Sequence, residues 1–222
     1  MTLKLQGSTS GHTAIEAPAS AGSNTITLPA NNGSANQYLK NSSTPGTLEF
    51  ASLGALGKVV QYKHSTKTDV SSRAHSTFVD VPGTDENNSG SIWECNITTT
   101  GSNKVLVIAS VNVGGSNMNW LKLIRNTGGT DNDLGKGDTV SGKVSIWWGA
   151  YGGGSSTGEM YYGTDVVNNP ILDSPGAGTH SYRVQFASDG TSHTCYINRG
   201  VYDADPYHPR TISSITLLEL SA

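Results

Sequence analysis

The sequence is poor in charged residues and in long apolar runs. Asp, Glu, Lys and Arg make up 14% of the 222 residues, against about 25% in typical globular domains. The net charge of −3 provides no basic face of the kind that nucleic-acid binding requires. No window of about 20 apolar residues occurs, so no transmembrane helix is predicted. We therefore expect neither nucleic acid nor membrane insertion among the interactions of this chain.

Cysteine is also scarce. Cys95 and Cys195 lie in separate strand-like runs, whereas zinc sites use closely spaced pairs. Residues 1–10 lack the apolar stretch of a secretory signal, so we expect the chain to be made and folded in a cytoplasm. In that compartment two buried free thiols are favoured over a disulfide.

Groups that could bind a metal ion or perform catalysis are sparse. The six histidines show neither i,i+4 nor H-x-H spacing, so no metal site and no cofactor are predicted. Asp131, Asp133 and Asp138 miss the spacing of an EF-hand and have the composition of an ordinary turn, although the alternative of a calcium ion there stays open. Glu94 and Glu159 could supply a glycosidase pair, but both fit outward-facing strand residues. We therefore predict that the chain is not an enzyme.

Turns and short strands dominate residues 58–222, and the chain has 27 glycines. Trp93, Cys95 and Ile97 alternate with polar residues, as on a half-buried strand. We predict an all-β fold with a jelly-roll-type β-sandwich head at 58–222. The predicted strands are 58–63, 76–81, 91–99, 104–113, 119–125, 142–151, 159–163, 180–187, 191–199 and 211–220, with a loop at 126–138 and a hairpin turn at Asp189–Gly190.

The last predicted strand is apolar on both faces. Ile215 and Leu217 fall on one face, and Leu218 and Leu220 fall on the other. A strand at a chain terminus is normally a frayed edge. An apolar pattern on both faces predicts instead that this strand lies in the middle of a sheet or against a neighbouring subunit.

Residues 1–57 differ in composition from the head. They are crowded with Gly, Ser, Thr, Asn and Ala, and they have too little apolar surface to offset the entropy of ordering the backbone. Ile26 and Leu28 alternate with threonines ahead of Pro29, as in a short strand. Such a segment can order when several copies share one axis, so we predict an extended docking or shaft segment at 1–57.

The same N-terminal stretch resembles a phage module. The motifs are G-S-T-S-G-x-T-A-x-E-A-P-A-x-A-G-S-N-T-x-T-L-P at Gly7–Pro29 and N-G-S-A-N-Q-x-L-K-N at Asn32–Asn41. They resemble a module of tail fibres and other virion structural proteins in tailed phages, especially phages of marine bacteria. The resemblance covers residues 3–50 and implies a virion part without catalytic residues.

The head contains a second set of motifs, SNKVLVIASV, LDSP, YRVQF, YINR and SITLLEL, in that order over residues 58–222. They are similar to the globular C-terminal heads of phage structural proteins, which look like the trimeric jelly rolls of the C1q and tumour-necrosis-factor type. In that family the last strand is central and lies near the threefold axis. The resemblance implies a homotrimer, which the two-faced last strand and the N-terminal segment also favour. The candidate interface residues that these patterns give are Ile26, Leu28, Ile215, Leu217, Leu218 and Leu220.

Two predicted loops, at 149–162 and 200–210, carry aromatic side chains beside hydrogen-bonding groups. This composition suits sugar faces and protein surfaces alike, although the same tyrosines could fill the sandwich ends or the subunit interface. We expect a tail-fibre-like adhesin that contacts a glycan or protein of the host surface. Its candidate receptor-binding residues are Tyr151, Tyr161, Tyr162, Tyr202, Tyr207 and His208.

Two positions in the virion fit this sequence. In a tail fibre, residues 1–57 bind a tail adaptor and the head contacts the host. In the alternative, a capsid decoration or head-fibre protein, residues 1–57 lie on the capsid and the head only projects. Both place the mature chain in the virion, and the sequence does not decide between them.

Overall fold

The structure of the chain, a computed structural model, contains β-strands and no helix among the residues it describes. Those residues are 3–6, 8–15, 20, 22–52, 58–83, 91–152, 163–203, 206 and 208–222. The strands pair in antiparallel sheets, so the prediction of an all-β fold is confirmed. The chain divides into two compact units, Met1–Gly54 and Ala55–Ala222, close to the predicted division after residue 57.

The N-terminal unit contains two short hairpins. None of the side chains whose burial is described in this unit is buried, so these residues form no closed hydrophobic core. The strands are β1 (Leu3–Gln6), which pairs with β2 (His12–Ile15), and β3 (Gln37–Asn41), which pairs with β4 (Leu48–Ser52).

The strand predicted around Ile26 is reduced to one parallel bridge between Thr27 and Thr47. The Thr27 N–H donates to the Gly46 carbonyl, and the Leu48 N–H donates to the Thr27 carbonyl, both at 2.8 Å. The segment around Thr27 is thereby tied to the start of β4, but it gains no further ladder hydrogen bond there.

The remaining strands belong to the head unit. Their lengths range from two to twelve residues. In chain order they are β5 (Val59–Lys67), β6 (Ser71–Arg73), β7 (Val79–Asp80), β8 (Glu94–Thr99), β9 (Lys104–Gly115), β10 (Met118–Thr127), β11 (Thr130–Leu134), β12 (Trp148–Tyr151), β13 (Asp165–Asn168), β14 (Ile171–Asp173), β15 (Gly178–Ser188), β16 (Cys195–Ile197) and β17 (Ser213–Leu220).

Seven of these strands form one sheet, which is centred on β9. One edge of β9 pairs with β17 and then β16, and its other edge pairs with β14 and then β13. β5 continues the sheet beyond β17, and β6 continues it beyond β16. The C-terminal strand β17 therefore lies between two other strands and not at an edge.

The other six strands form the second sheet. β10 pairs with β15 on one edge and with β11 and β12 on the other. The far edge of β15 pairs with β8 and β7. Each sheet is thus four strands wide, and the two sheets form a β-sandwich, as the sequence predicted.

The hydrophobic core lies between the two sheets. Alternate residues of the central strands point inward, and each large apolar side chain that is removed from water stabilises the fold by about 1.5–3 kcal/mol. The fully buried members include Val105, Val107, Val111, Leu121, Leu123, Tyr182, Val184, Ile215 and Leu217.

Both cysteines belong to this core as free thiols, which confirms the prediction. Cys95 lies on β8 and Cys195 on β16, in different sheets. Burial raises the pKa of Cys95 to about 11 and also raises the pKa of Cys195. Both groups are therefore neutral thiols near pH 7 and pack as small apolar side chains.

Several predicted details of the head were wrong, among them the start of the predicted strand 142–151, since β12 begins at Trp148. The predicted loop at 126–138 contains β11, because the chain folds back on β10 at Gly128–Gly129, where both φ angles are positive. Asp189–Gly190 is not a hairpin turn, because β15 and β16 lie in different sheets. β13 and β14 were not predicted, since both are short and Pro170 separates them. In the predicted strand 159–163, residues 159–162 lie outside the described residues.

Candidate interaction surfaces

The outer face of the seven-stranded sheet carries a row of apolar side chains that crosses four strands. Leu218 on β17 stands opposite Tyr62 on β5 and Leu106 on β9, and Leu106 stands opposite Leu172 on β14. Tyr62 and Leu172 are 57% and 53% exposed, while Leu106 and Leu218 are half-buried. These four residues are called the apolar row below.

Further apolar side chains extend the apolar row along the strands. Ile108 follows Leu106 by two positions and Leu220 follows Leu218 by two. The exposed Val59 stands opposite Leu220, beyond an irregularity in the β5–β17 register. Residues two apart on a strand point to the same face. The apolar surface therefore spans the outer side of β5, β17 and β9 near one end of the sandwich.

This face carries almost no charge. The outward-facing described residues of β5, β9, β13, β14 and β17 include no carboxylate, and Lys104 is the single lysine or arginine among them. His64 stacks on Tyr62 with ring centroids 6.1 Å apart, and its two ring nitrogens lie 2.9 Å from Thr216 Oγ1 and 3.0 Å from Thr66 Oγ1. A copy of the same face would meet little like-charge repulsion here.

The outer face of the six-stranded sheet has the opposite character. Arg183 contacts Asp80 through Nε at 2.8 Å and both carboxylate oxygens of Asp131 through Nη2 at 2.7 Å. Lys122 pairs with Asp133 at 2.9 Å. Exposed ion pairs of this kind contribute little to stability, but they keep their face suited to water. Around the apolar row, the described outward-facing residues form no ion pair, and Lys104 is the single charged residue among them.

The four predicted interface residues of β17 separate into two pairs. Ile215 and Leu217 are 0% exposed and belong to the core of the protomer. They are corrected from interface to core residues, because the alternation of the strand directs both side chains between the sheets. Leu218 and Leu220 point outward and are half-buried, so they stay available to a second chain.

The N-terminal unit also exposes apolar side chains. Ile26 and Leu28, both predicted interface residues, are 69% and 70% exposed. Leu28 lines a groove of about 420 Å³ together with Pro29, Leu48 and Phe50. Nothing in the described part of this unit covers these side chains.

Two of the predicted receptor-binding segments leave the same end of the sandwich. The Gly152 N–H, next to Tyr151, donates to the Asn117 carbonyl in the β9–β10 connection at 2.6 Å. On β9, which leads into the same connection, a Cβ on Gly114 would lie 2.1 Å from the Arg199 carbonyl oxygen. The backbones at Gly114 and Arg199 therefore approach too closely for a side chain at Gly114. Tyr151 and the segment after Arg199 consequently lie at the same end of the head.

The segment between β16 and β17 is held by an ion triad. Arg199 Nη1 and Arg210 Nη2 both contact Asp203 Oδ2, at 2.9 and 2.5 Å. The Arg199 guanidinium also lies 4.2 Å from the centroid of the Tyr196 ring. Hydrogen bonding to Arg210, supported by Arg199, lowers the pKa of Asp203. The carboxylate is therefore ionised near neutral pH and ties both ends of the segment together.

Tyr202 and His208 lie within this segment. Tyr202 is 42% exposed, and the two rings meet edge to face with centroids 4.8 Å apart. Tyr151, at the end of β12, is 59% exposed. The other three predicted receptor-binding residues, Tyr161, Tyr162 and Tyr207, lie outside the described residues.

Three residues considered for catalysis or metal binding, Glu94, Asp131 and Asp133, make structural contacts. The Glu94 carboxylate accepts hydrogen bonds from Ser181 and from Asn96, and Glu159 lies outside the described residues. Asp131 and Asp133 pair with Arg183 and Lys122. Within the described ranges, no group of three His, Cys, Asp or Glu side chains is placed to hold a metal ion.

Comparisons with known proteins identify no family for this chain. No protein-family model matches it, and no curated protein is significantly similar to it. None of the described residues forms a helix with the length and hydropathy that crossing a membrane requires. Function is therefore inferred from the sequence resemblances and from the surfaces described above.

Proposed function

We propose that this chain is a structural protein of a tailed-phage virion, forms a homotrimer, and acts as a tail-fibre-like adhesin at the host surface. The resemblance of residues 3–50 to a phage module supports the virion role. The apolar row on the head supports the homotrimer and is the observation on which the proposed assembly depends. The proposal assigns the chain no enzymatic activity and no cofactor.

The apolar row is proposed as the contact between the three heads. Each large aliphatic or aromatic side chain that stays fully exposed lacks about 1.5–3 kcal/mol of the stabilisation that burial would provide. A second copy of this chain is the occupant that the surface favours, because the face is continuous over four strands and lacks carboxylates. Closed rotational symmetry allows three identical faces to meet on one axis without leaving a free apolar edge.

Residues 1–57 are proposed to attach the protein to another virion protein, a tail adaptor or the capsid. Among the described residues of this segment, Leu5 and Ile15 are 55% and 62% exposed. Ile26 and Leu28 are more exposed still. Since these side chains are not covered by their own unit, contact with other chains would remove them from water.

The host contact is proposed at the end of the head where Tyr151 and the Tyr202–His208 segment emerge. The Asp203 ion triad and Pro206 and Pro209 restrict that segment. A segment that is already ordered loses less conformational entropy when it binds. Tyrosine rings also combine an apolar face with a hydrogen-bonding hydroxyl, as contact surfaces require.

Imaging of intact virions with an antibody against the head tests the location. A label at the tail tip supports the adhesin, whereas a label distributed over the shell supports the capsid decoration or head-fibre protein. Absence of the chain from purified virions would contradict any virion role. Sedimentation equilibrium of the purified protein tests the trimer separately, since it does not depend on where in the virion the chain lies.

A further inference from the structure

We propose that Phe78, Trp120 and Tyr151 form a carbohydrate-binding platform on the outer face of the six-stranded sheet. The inference deepens the proposed adhesin function and rests on it for the biological source of the ligand. It names a glycan as the ligand class and extends the contact from the end loops onto a rigid sheet.

Trp120 and Phe78 are neighbours on this face. Leu121, next to Trp120 on β10, is fully buried in the core, so Trp120 points outward. Val79 packs against the core, so Phe78 points outward as well. The two rings have centroids 6.4 Å apart and planes that differ by 29°.

Small residues flank Trp120 on both neighbouring strands. Ala187 on β15 and Gly149 on β12 stand directly opposite it. Ala187 is 0% exposed although it is not part of the core between the sheets, which shows that it is covered on the outer face. A Cβ on Gly149 would lie 3.2 Å from Trp120 Cδ1 and 2.6 Å from Ile146 Cδ1, so the indole lies close over the glycine.

Tyr151 continues the aromatic surface along β12. It lies two positions after Gly149 and therefore points to the same face, about 7 Å further along the strand. Its ring is 59% exposed. The half-buried Phe78 and Trp120 and the exposed Tyr151 thus form a strip. It runs from the residue before β7, over β15 and β10, to the end of β12.

Polar groups border the strip on one side. Lys122 Nζ lies 4.9 Å from the centroid of the Phe78 ring and donates to Asp133 at 2.9 Å, which leaves further ammonium protons for a ligand. Gln185 Nε2 donates to Asp80 Oδ1 at 2.9 Å. This bond fixes the amide so that its carbonyl oxygen stays available as an acceptor.

This combination favours a sugar over other ligand classes. One face of a pyranose ring presents C–H groups, whose slight positive charge suits the negative face of an aromatic ring. The hydroxyl groups at its rim need donors and acceptors, which Lys122 and Gln185 supply. Phosphate-rich ligands are disfavoured because three carboxylates beside the strip, Asp80, Asp131 and Asp133, share only two cations, Arg183 and Lys122.

The platform lies on the opposite side of the sandwich from the apolar row. A homotrimer that forms through the apolar row therefore leaves three platforms in water. Individual sugar contacts are weak, but three linked sites that engage one cell surface gain avidity through their high effective concentration.

An array of purified bacterial polysaccharides, probed with the full-length protein, tests the proposal directly. The retained polysaccharide is then titrated calorimetrically against the wild-type protein and its variants. We expect Trp120→Ala to weaken binding about 10- to 30-fold, as the loss of an aromatic anchor does, and Trp120→Phe to weaken it less. Tyr38→Ala, at a tyrosine of the N-terminal unit that is 45% exposed, serves as the control and should leave binding unchanged.

Retention of no polysaccharide, or wild-type affinity in Trp120→Ala, would overturn the platform. Loss of binding in Tyr202→Ala but not in Trp120→Ala would also overturn it, while leaving the adhesin function intact. Near-ultraviolet circular dichroism checks that each variant is folded. If Trp120→Ala does not fold, Gln185→Ala replaces it and must lower the affinity without changing the aromatic residues. The oligomeric state, measured on the same samples, reports on the proposed trimer independently of sugar binding.

Discussion

Leu218 and Leu106 stand opposite each other on adjacent antiparallel strands, and both side chains point away from the core of the sandwich. This pair is the centre of the apolar row, with Tyr62 beyond Leu218 and Leu172 beyond Leu106. A charge introduced at this pair therefore tests most directly whether a second chain covers the face.

The double substitution Leu218→Asp with Leu220→Asp should convert a trimer into monomers. Two carboxylates in each of three chains replace apolar contacts. Because both leucines are already half-buried in the protomer, these contacts are worth roughly 5–9 kcal/mol per assembly, and the new charges are costly to bury. Sedimentation equilibrium at about micromolar concentration measures the change.

Val144→Asp is the matched control for this experiment. Val144 is 48% exposed and lies outside the strands of the apolar row, so its substitution should leave the trimer intact. A wild-type protein that is already monomeric, or a trimer that survives the double substitution, would show that the apolar row is not the subunit contact.

The carboxylate of Glu219 should make the free energy of unfolding decrease when the pH is lowered. It is 1% exposed and accepts hydrogen bonds from Gln61, from Asn103 and from the Thr100 N–H. Burial alone would raise its pKa, but the hydrogen bonds outweigh burial and hold the pKa below the ordinary 4.5. Because the folded pKa is depressed, this stabilisation is present above the unfolded pKa and is lost as the pH falls through the folded pKa.

We expect Glu219→Gln to lower stability near neutral pH by about 1–3 kcal/mol, since its amide places a donor against the donors of Gln61 and Asn103. The variant should also lose less stability than the wild type on acidification. Urea unfolding between about pH 7 and about pH 3 measures both effects. Glu49→Gln, at a surface ion pair with Lys40, is the control. Equal pH dependence in the wild type and Glu219→Gln would contradict the prediction.

The Asp203 carboxylate should control the order of the segment that carries Tyr202 and His208. Asp203→Asn removes the charge that both Arg199 and Arg210 contact, so amide exchange in residues 199–210 should accelerate while the core strands stay protected. Because the pKa of Asp203 is lowered, acidification through that pKa should have the same local effect on the wild type.

Hydrogen–deuterium exchange resolved by mass spectrometry measures this change. Asp138→Asn, at an exposed aspartate in the segment after β11, is the matched control and should leave exchange in 199–210 unchanged. If Asp203→Asn left exchange in this segment unaltered, the ion triad would not be what orders it.

That the head consists of β-strands could be predicted, because the alternation of apolar and polar residues is visible within each short stretch of sequence. Trp93, Cys95 and Ile97 alternate with polar residues, and all three are buried on one face of their sheet. The two faces of β17 could be separated for the same reason. Alternation states which residues share a face, and it needs no knowledge of the partner strand.

The surfaces could not be predicted because they depend on register between distant strands. The apolar row joins Tyr62, Leu106, Leu172 and Leu218, and no spacing in the sequence relates them. The platform around Trp120 depends in the same way on Gly149 and on strand pairing that the local pattern does not contain. Local alternation also could not show which face of β17 would be buried in the core of the protomer, and therefore that Ile215 and Leu217 would not be available to a second chain.

Buried polar groups were missed for a related reason. Lys67 is 0% exposed, and its ammonium group contacts Asp69 Oδ1 at 2.8 Å and the Pro82 carbonyl at 2.9 Å. Arg125 forms a similar contact with Asp173, which also accepts a hydrogen bond from Tyr182 at 2.8 Å. Polar partners stabilise each group, and two of them, Pro82 and Asp173, come from distant parts of the chain.

Gly114 should be among the least replaceable residues at the end of the head where Tyr151 and Tyr202 lie. The predicted strand 104–113 stopped short of Gly114, whereas the structure includes Gly114 in β9 and packs it against the backbone of Arg199 and Gly200. A Cβ on Gly114 would lie 2.1 Å from the Arg199 carbonyl oxygen and 2.7 Å from Gly200 Cα. These neighbours are backbone atoms, so no side-chain rotation can relieve the overlap.

We therefore expect Gly114→Ala to destabilise the head by roughly 3 kcal/mol, at the upper end of the usual cost of overpacking, and to displace the segment that carries Tyr202. Gly137→Ala is the matched control: a Cβ there would meet no atom within 4 Å, so its stability should stay within about 0.5 kcal/mol of the wild type. Urea unfolding measures both values, and exchange in residues 199–210 measures the displacement. Equal stability of the two alanine variants would mean that the backbone at Gly114 has room to move, and the close approach would then not be what sets the position of the loop.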